Sequence, residues 1–273
     1  MRTPGAEAAS RALLKRLARL HQRKYRDESG LFLAEGLRTV RELLEQMADP
    51  SMLDCLVCTE SGLLQLPEAS RSALPVFLAG EAEFAALAGT RSPQGVLGVF
   101  RQPSFPPPHE RDYPATALVV VLDGVQDPGN AGTILRTAAW LGADALLSGP
   151  GTVDFYNPKS VRSSAGSLFS MPHTRTDDLP EALGALRSLG FEIVCSSLEG
   201  IDFRRFGAWP ERTALVIGNE ANGAERRVQA MADRLVKIPH GDGRSRVESL
   251  NAAVSAAILL ERILLSPLPP ATL

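Results

Sequence analysis

The chain's hydrophobic pattern changes character near residue 102. After it, short continuous apolar runs alternate with amphipathic stretches. Leu118 to Leu122 is one such run and predicts a strand buried on both faces. Asp127-Pro128-Gly129 is a turn, and Asn130 is the expected N-cap of a helix over 130–141. Ile134, Leu135, Ala138 and Leu141 form the helix's apolar stripe, and Gly142 suits its C-terminal cap. Arg136 and Trp140 lie off that stripe. Further strands are expected at 144–148, 191–195 and 213–217, with a helix over 178–189 between them. This alternation predicts a parallel α/β sheet. A final helix runs from Ser249, its expected N-cap, to Leu265, with Leu250 and Asn251 in its first turn.

Before residue 102 the pattern is a smaller α/β unit. Ser10 to Leu20 reads as a helix with Leu13, Leu14, Leu17 and Leu20 inward. Phe32-Leu33 leads into a helix over Glu35 to Gln46, carrying Leu37, Val40, Leu43 and Leu44. Strands are expected at 53–57, 76–78 and 96–100. The segment Arg101 to Pro114 holds five prolines and no periodicity, so it reads as a stiff linker. The resulting division is 1–102, a linker at 103–114, and 115–273.

Composition narrows the functional classes. No apolar run approaches the ~20 residues of a membrane span, and residues 1–26 have no signal-peptide core, so a cytoplasmic protein is expected. The net charge of −2 argues against a uniformly basic nucleic-acid binder. Charge is uneven, however: residues 1–26 hold eight Lys and Arg against Glu7 alone, a local excess of seven. Such a segment can meet phosphates or simply form a solvated helix face. Cys55 and Cys58 have C-x-x-C spacing but sit in a strand-like stretch, which favours buried structural thiols.

Three polar segments follow strand ends in the second half. They are Asp127 to Ala138, Ile217-Gly-Asn-Glu-Ala-Asn-Gly223 with the single acid Glu220, and Ile238-Pro-His-Gly-Asp-Gly-Arg-Ser-Arg-Val-Glu-Ser-Leu-Asn251. Taken singly, the glycines are turns and Asn130 and Ser249 are caps. No G-x-G-x-x-G or G-x4-G-K-[ST] is present, so dinucleotide oxidoreductases and triphosphate enzymes lose support.

In this order the three segments resemble the motifs of the SpoU/TrmH family of RNA ribose 2′-O-methyltransferases. Asp154 to Gly166 is similar to the same family, and Phe32 to Glu42 with the Ser92-Pro-Gln-Gly-Val96 turn is similar to its N-terminal substrate-binding module. The resemblance implies a C-terminal parallel-sheet domain with a trefoil knot and a ribosomal-protein-like RNA-binding domain before it. It implies S-adenosylmethionine as cofactor, no metal, and a homodimer, for which the Ala-rich side of the last helix offers close approach. Gly218, Ile238 and Leu250 would contact the cofactor. Asn130, Arg136, Glu220, Ser249 and Asn251 match the family's functional residues. Arg136 has the base role in the family, although a guanidinium stays charged in proteins and would sooner fix a phosphate that takes the proton. The module of the first domain favours ribosomal RNA over tRNA. A tRNA methyltransferase and a non-catalytic RNA-binding relative are the alternatives. The sequence departs from the family at His240, where an apolar residue is usual, and in a longer 241–247 loop.

Overall fold

The computed structural model describes residues 6–67, 74–241 and 249–265. They divide into two compact units. The first comprises residues up to Ser104 together with Asp154–Ser170, and the second comprises Phe105–Val153 and the residues from Met171 onward.

The first unit carries a five-stranded mixed sheet. Its strands are β1 (Ala6–Ala8), β2 (Leu31–Glu35), β3 (Leu53–Cys58), β4 (Val76–Leu78) and β5 (Val96–Arg101), in the order β1-β4-β3-β5-β2. β4 runs parallel to β1 and β3, whereas β5 is antiparallel to β2 and β3. The helices are α1 (Arg11–Ala18), α2 (Arg23–Ser29), α3 (Leu37–Gln46), α4 (Glu60–Gln65) and α5 (Glu81–Leu87). Ser10 caps α1 by accepting the Leu13 N–H at 3.1 Å. Leu17 and Leu20 enter the core with Leu33, Val57 and Phe84.

Glu35 ends β2 instead of opening a helix, and α3 begins after Gly36, whose φ of 95° no other residue type adopts readily. Helical periodicity could not show this break, because Glu35 lies on the same apolar-polar rhythm. Cys55, Cys58 and Cys195 are buried, and burial pushes each thiol up to about 12, so none is a ready nucleophile at neutral pH.

Asp154–Ser170 reaches the first unit from the sequence of the second half. It contains α7, defined as Pro158–Ser164. Tyr156 and Phe169 join Phe32 and Phe100 in one aromatic cluster, with ring centroids 5.1–6.2 Å apart. Arg26 is only 2% exposed and donates through Nε and Nη2 to Asp154 Oδ2 at 2.9 and 2.6 Å. Its Nη1 donates to the carbonyls of Leu20 and His21. Arg26 is therefore a structural ion pair and leaves the run of basic residues that could meet phosphate. Arg11, Lys15, Arg16, Arg19, Arg23 and Lys24 remain exposed.

The second unit carries a six-stranded, all-parallel sheet. Its strands are β6 (Ala117–Asp123), β7 (Ala145–Ser148), β8 (His173–Arg175), β9 (Glu192–Asp202), β10 (Arg212–Gly218) and β11 (Arg234–Lys237), in the order β11-β9-β10-β6-β7-β8. β6 is buried along its whole length, as its continuous apolar run requires. The helices are α6 (Pro128–Leu141), α8 (Leu179–Ser188), α9 (Arg226–Gln229) and α10 (Ala252–Leu264). β8 and β11 escaped the sequence pattern because each is a short edge strand of mixed polarity. The 103–114 segment is not bare linker: Arg212 holds the Tyr113 and Pro114 carbonyls, and Tyr113 packs edge-on against Phe191 at 4.9 Å.

The buried Arg26–Asp154 pair carries a stability consequence. Arg26→Ala leaves the half-buried Asp154 carboxylate without its partner and should cost up to about 3 kcal/mol. Chemical denaturation should show the loss, and Arg26→Met paired with Asp154→Leu should cost clearly less.

Candidate functional site

Three segments meet at the carboxyl end of the central strands of the second unit, where open α/β sheets bind ligands. β6 and β10 lie in parallel register, Gly218 beside Asp123. After β10 the chain turns sharply. Asn219 and Gly223 exchange backbone hydrogen bonds of 2.9 Å each way. The Asn219 side-chain Oδ1 accepts the N–H groups of Ala221 and Asn222, and its Nδ2 donates to the Gly124 carbonyl at 2.8 Å. The turn is thus tied both to itself and to the end of β6.

Asp123 adds a second tie, accepting the Glu225 N–H at 2.6 Å. Burial raises the Asp123 carboxyl above the usual carboxylate range, and the Glu225 N–H opposes that shift. Gly218 sits where the turn folds back on its strand. A Cβ there would overlap the backbone of Gly223 and Ala224, so the crossing demands glycine.

The caps differ from expectation. Asp127, not Asn130, caps α6 by accepting the Asn130 N–H at 3.0 Å. Pro128 takes the first helical position, where its missing N–H costs nothing. This frees the Asn130 side chain, which is 9% exposed and bonded on both sides. Its Nδ2 donates to Glu220 Oε1 at 2.7 Å, and its Oδ1 accepts from Asn251 Nδ2 at 2.8 Å. Asn251, not Ser249, caps α10 by accepting the Ala253 and Val254 N–H groups. Both sequence segments offered two good capping residues, and propensity alone does not choose between them.

A cavity of about 530 Å³ opens beside this network. Gly218, Glu220, Ile238, Ser249 and Leu250 all line it, so five of the eight expected site residues share one space. Glu220 belongs to both the cavity and the amide network. The volume suits a ligand of nucleoside size. Ile217, Leu198, Ile238, Pro239 and Leu250 supply apolar wall, and Lys237, Glu199, Ser197 and Gln229 supply polar groups. That mixture fits S-adenosylmethionine, which joins an apolar-faced purine to a charged amino-acid end. His240 lines the same cavity, while most of the long loop, residues 242–248, lies outside the described residues.

Arg136 stands apart. It is exposed on α6 and makes no hydrogen bond or ion pair with any described residue. Six residues from Asn130 on a 3.6-residue helix, it faces about 120° away from the buried amide. Trp140, one turn further along, is 87% exposed. On α10, Ala252, Ala253 and Ala256 are buried within the chain, while Val254 and Leu265 stay exposed at 48% and 59%. The alanines therefore serve internal packing, and the larger apolar side chains make the outer face.

Sequence reasoning missed Asn219, Asp123, Leu198 and Lys237. Asn219 had a readable signal, since Asn followed two residues later by a turn is Asx-turn chemistry. The others had none, because a carboxylate at a strand end, a leucine in the polar second half of β9, or a lysine on the edge strand β11 carries no spacing pattern.

The crossing at Gly218 is directly testable. Gly218→Ala should force the 219–224 turn away from β10 and cost about 1–3 kcal/mol by denaturation. Gly241→Ala, where a Cβ meets no described residue within 4 Å, should stay within about 0.5 kcal/mol of the parent.

The same segments recur in known proteins. Residues 117–261 match the SpoU rRNA Methylase family, and residues 12–98 match the MRM3-like substrate binding domain. The chain is 32% identical over 257 residues to the 23S rRNA (guanosine(2553)-2′-O)-methyltransferase RlmP of Bacillus subtilis, covering 93% of this chain and 96% of that one. Among solved structures it resembles an RNA methyltransferase of the TrmH family from Porphyromonas gingivalis, with a TM-score of 0.77 at 32% identity, over 93% of this chain and 98% of that one. It also resembles the SpoU methyltransferase AviRb of Streptomyces viridochromogenes in complex with AdoMet, with a TM-score of 0.78 at 28% identity, over 93% of this chain and 97% of that one. With a matched domain over more than half its length, two motif segments lining one cavity and the third hydrogen-bonded to them, and a relative aligned nearly end to end, this chain belongs to the SpoU rRNA methylase family.

Proposed function

We propose that the protein is an S-adenosylmethionine-dependent RNA ribose 2′-O-methyltransferase acting on ribosomal RNA. The observation that carries this reading is the 530 Å³ cavity lined by Gly218, Glu220, Ile238, Ser249 and Leu250, contributed by the second and third motif segments and joined to the first through Asn130. Ribosomal RNA is favoured over tRNA because RlmP, similar along nearly the whole chain, is named for 23S rRNA, and because the first domain matches a substrate-binding module.

Gly218, Ile238 and Leu250 would hold the cofactor, which supplies an electrophilic methyl group on a sulfonium. The chain's own work is orientation, since a hydroxyl must be brought in line with that methyl. Arg136 is free to grip an RNA phosphate with its planar fork. Ser249, beside Leu250, supplies a hydroxyl to the cavity for ribose or cofactor. Asn130 and Asn251 hold Glu220 in place. The exposed lysines and arginines of α1 and α2 add phosphate contacts from the first domain.

A homodimer belongs to this reading. Trp140, Leu250, Val254 and Leu265 leave apolar side chains in solvent at 46–87% exposure on or beside α6 and α10, which pack on each other. A second copy would cover them symmetrically. A trefoil knot in the C-terminal domain, the division at 102 and 115 and a cytoplasmic location complete the proposal.

Calorimetry should show S-adenosylmethionine binding in the micromolar range, worth about −8 kcal/mol. Methyl incorporation should be found in 23S rRNA from a strain lacking the gene and not in its tRNA. Label in tRNA alone would refute the rRNA assignment, and binding of both RNAs without transfer would make the protein a binder. Arg136→Lys should bind S-adenosylmethionine normally, yet its single-turnover transfer should fall by about 10² or more, because a point charge replaces a fork.

A further inference from the structure

In the first unit, the loop from Gly89 to Gly95 is held at both ends and bare in its middle. Glu35 closes β2 with its side chain buried. It accepts the Gly89 N–H at 2.9 Å and the Thr90 hydroxyl. Arg162 of α7 stands 4.0 Å from the same carboxylate and balances its charge. At the other end Gly95 takes a φ of 74°, and its carbonyl accepts the Thr59 N–H at 2.9 Å. A Cβ on Gly62 would overlap that carbonyl, so the start of α4 lies directly on the loop's exit. The Val96 carbonyl accepts the Gly36 N–H at 2.9 Å, which joins the exit to the end of β2.

Between these anchors Arg91, Ser92 and Gln94 are exposed, and residues 89–95 hold no acid. The Gln94 side chain lies across Gly36, with its Oε1 3.2 Å from where a Cβ would stand. Its amide has no hydrogen-bond partner among the described residues. Arg38, two residues beyond Gly36, is exposed as well. A carboxamide carries a donor and an acceptor side by side, the complement of a base edge. In RNA such edges are open to side chains chiefly where bases are unpaired. The basic residues of α1 and α2 can grip phosphates, but phosphate contacts carry no sequence information.

We propose that Gln94 is a specificity-determining residue whose amide hydrogen-bonds the edge of an unpaired base in the RNA substrate. Arg91 contacts a neighbouring phosphate, and Glu35 and Thr90 are positioning residues that hold the tip in place. This deepens the function proposed above and rests on the protein acting on RNA.

Variants of the full chain test it with two probes, 23S rRNA from the strain lacking the gene and an RNA duplex without unpaired bases. Gln94→Ala should lose about tenfold in affinity for 23S rRNA, the scale of one lost base contact. Its duplex affinity should stay within about twofold of the parent. At saturating 23S rRNA its single-turnover transfer should also stay within about twofold, because the tip touches no reacting atom. Arg91→Gln should reduce the salt slope of 23S rRNA binding by about one. Thr90→Val removes a tether without reaching RNA, and 23S rRNA affinity should fall by about fivefold. Thr90→Ser keeps the hydroxyl and should restore it.

No loss in Gln94→Ala, an equal loss for both probes, or slow transfer at saturating RNA would overturn the base-reading role. An unchanged salt slope in Arg91→Gln would overturn the phosphate contact. Unchanged affinity in Thr90→Val, or no recovery in Thr90→Ser, would overturn the positioning role. Failure of the parent protein to bind 23S rRNA would instead refute the function itself.

Discussion

The close crossing at Gly218 is the constraint on which the site depends. β10 must deliver its last residue against the backbone of Gly223 and Ala224, and any side chain would prevent the contact. Because the crossing is tight, the intervening turn is short and strongly self-bonded. Asn219 closes it and ties it to Gly124, and Asp123 ties it again at Glu225. Glu220 is consequently carried on a rigid element, and its carboxylate can be aimed. A flexible loop would leave the same residue as an exposed acid with no fixed partner.

The rest of the second unit supports that crossing. β6 and β10 are central and buried, so their register cannot slip without turning apolar side chains into solvent. α6 and α10 begin beside the turn, and their caps are divided between neighbouring residues. Asp127 and the Asn251 carbonyl satisfy the helix starts, which releases Asn130 and the Asn251 amide for the site. Capping and the amide network are thus separated by three residues on α6 and shared within one side chain on α10.

The first unit solves a different problem. Its mixed sheet leaves Phe32 and Phe100 needing cover, and Tyr156 and Phe169 from Asp154–Ser170 join them. Arg26 is desolvated there because Asp154 and two backbone carbonyls satisfy its donors. One member of a basic run is removed from the surface in this way, and the remaining members stay available to phosphate.

By itself the sequence determined the class of fold and the identity of the family. Continuous apolar runs at 118–122 and 213–217 are too short for a helix and end at glycine turns, so they specify strands buried on both faces. Gly218, Ile238, Leu250, Glu220 and Ser249 were legible as site residues from motif order, and the structure brings them to one cavity. What only the tertiary structure decided are partnerships between residues far apart in the chain. Asn130 pairs with Glu220 and Asn251 across separations of 90 and 121 residues. Arg26 pairs with Asp154 across 128. Local propensity ranks Asp127 with Asn130, and Ser249 with Asn251, because each pair offers the same chemistry to a helix start. The choice is made by the partner across the site, which local sequence does not contain.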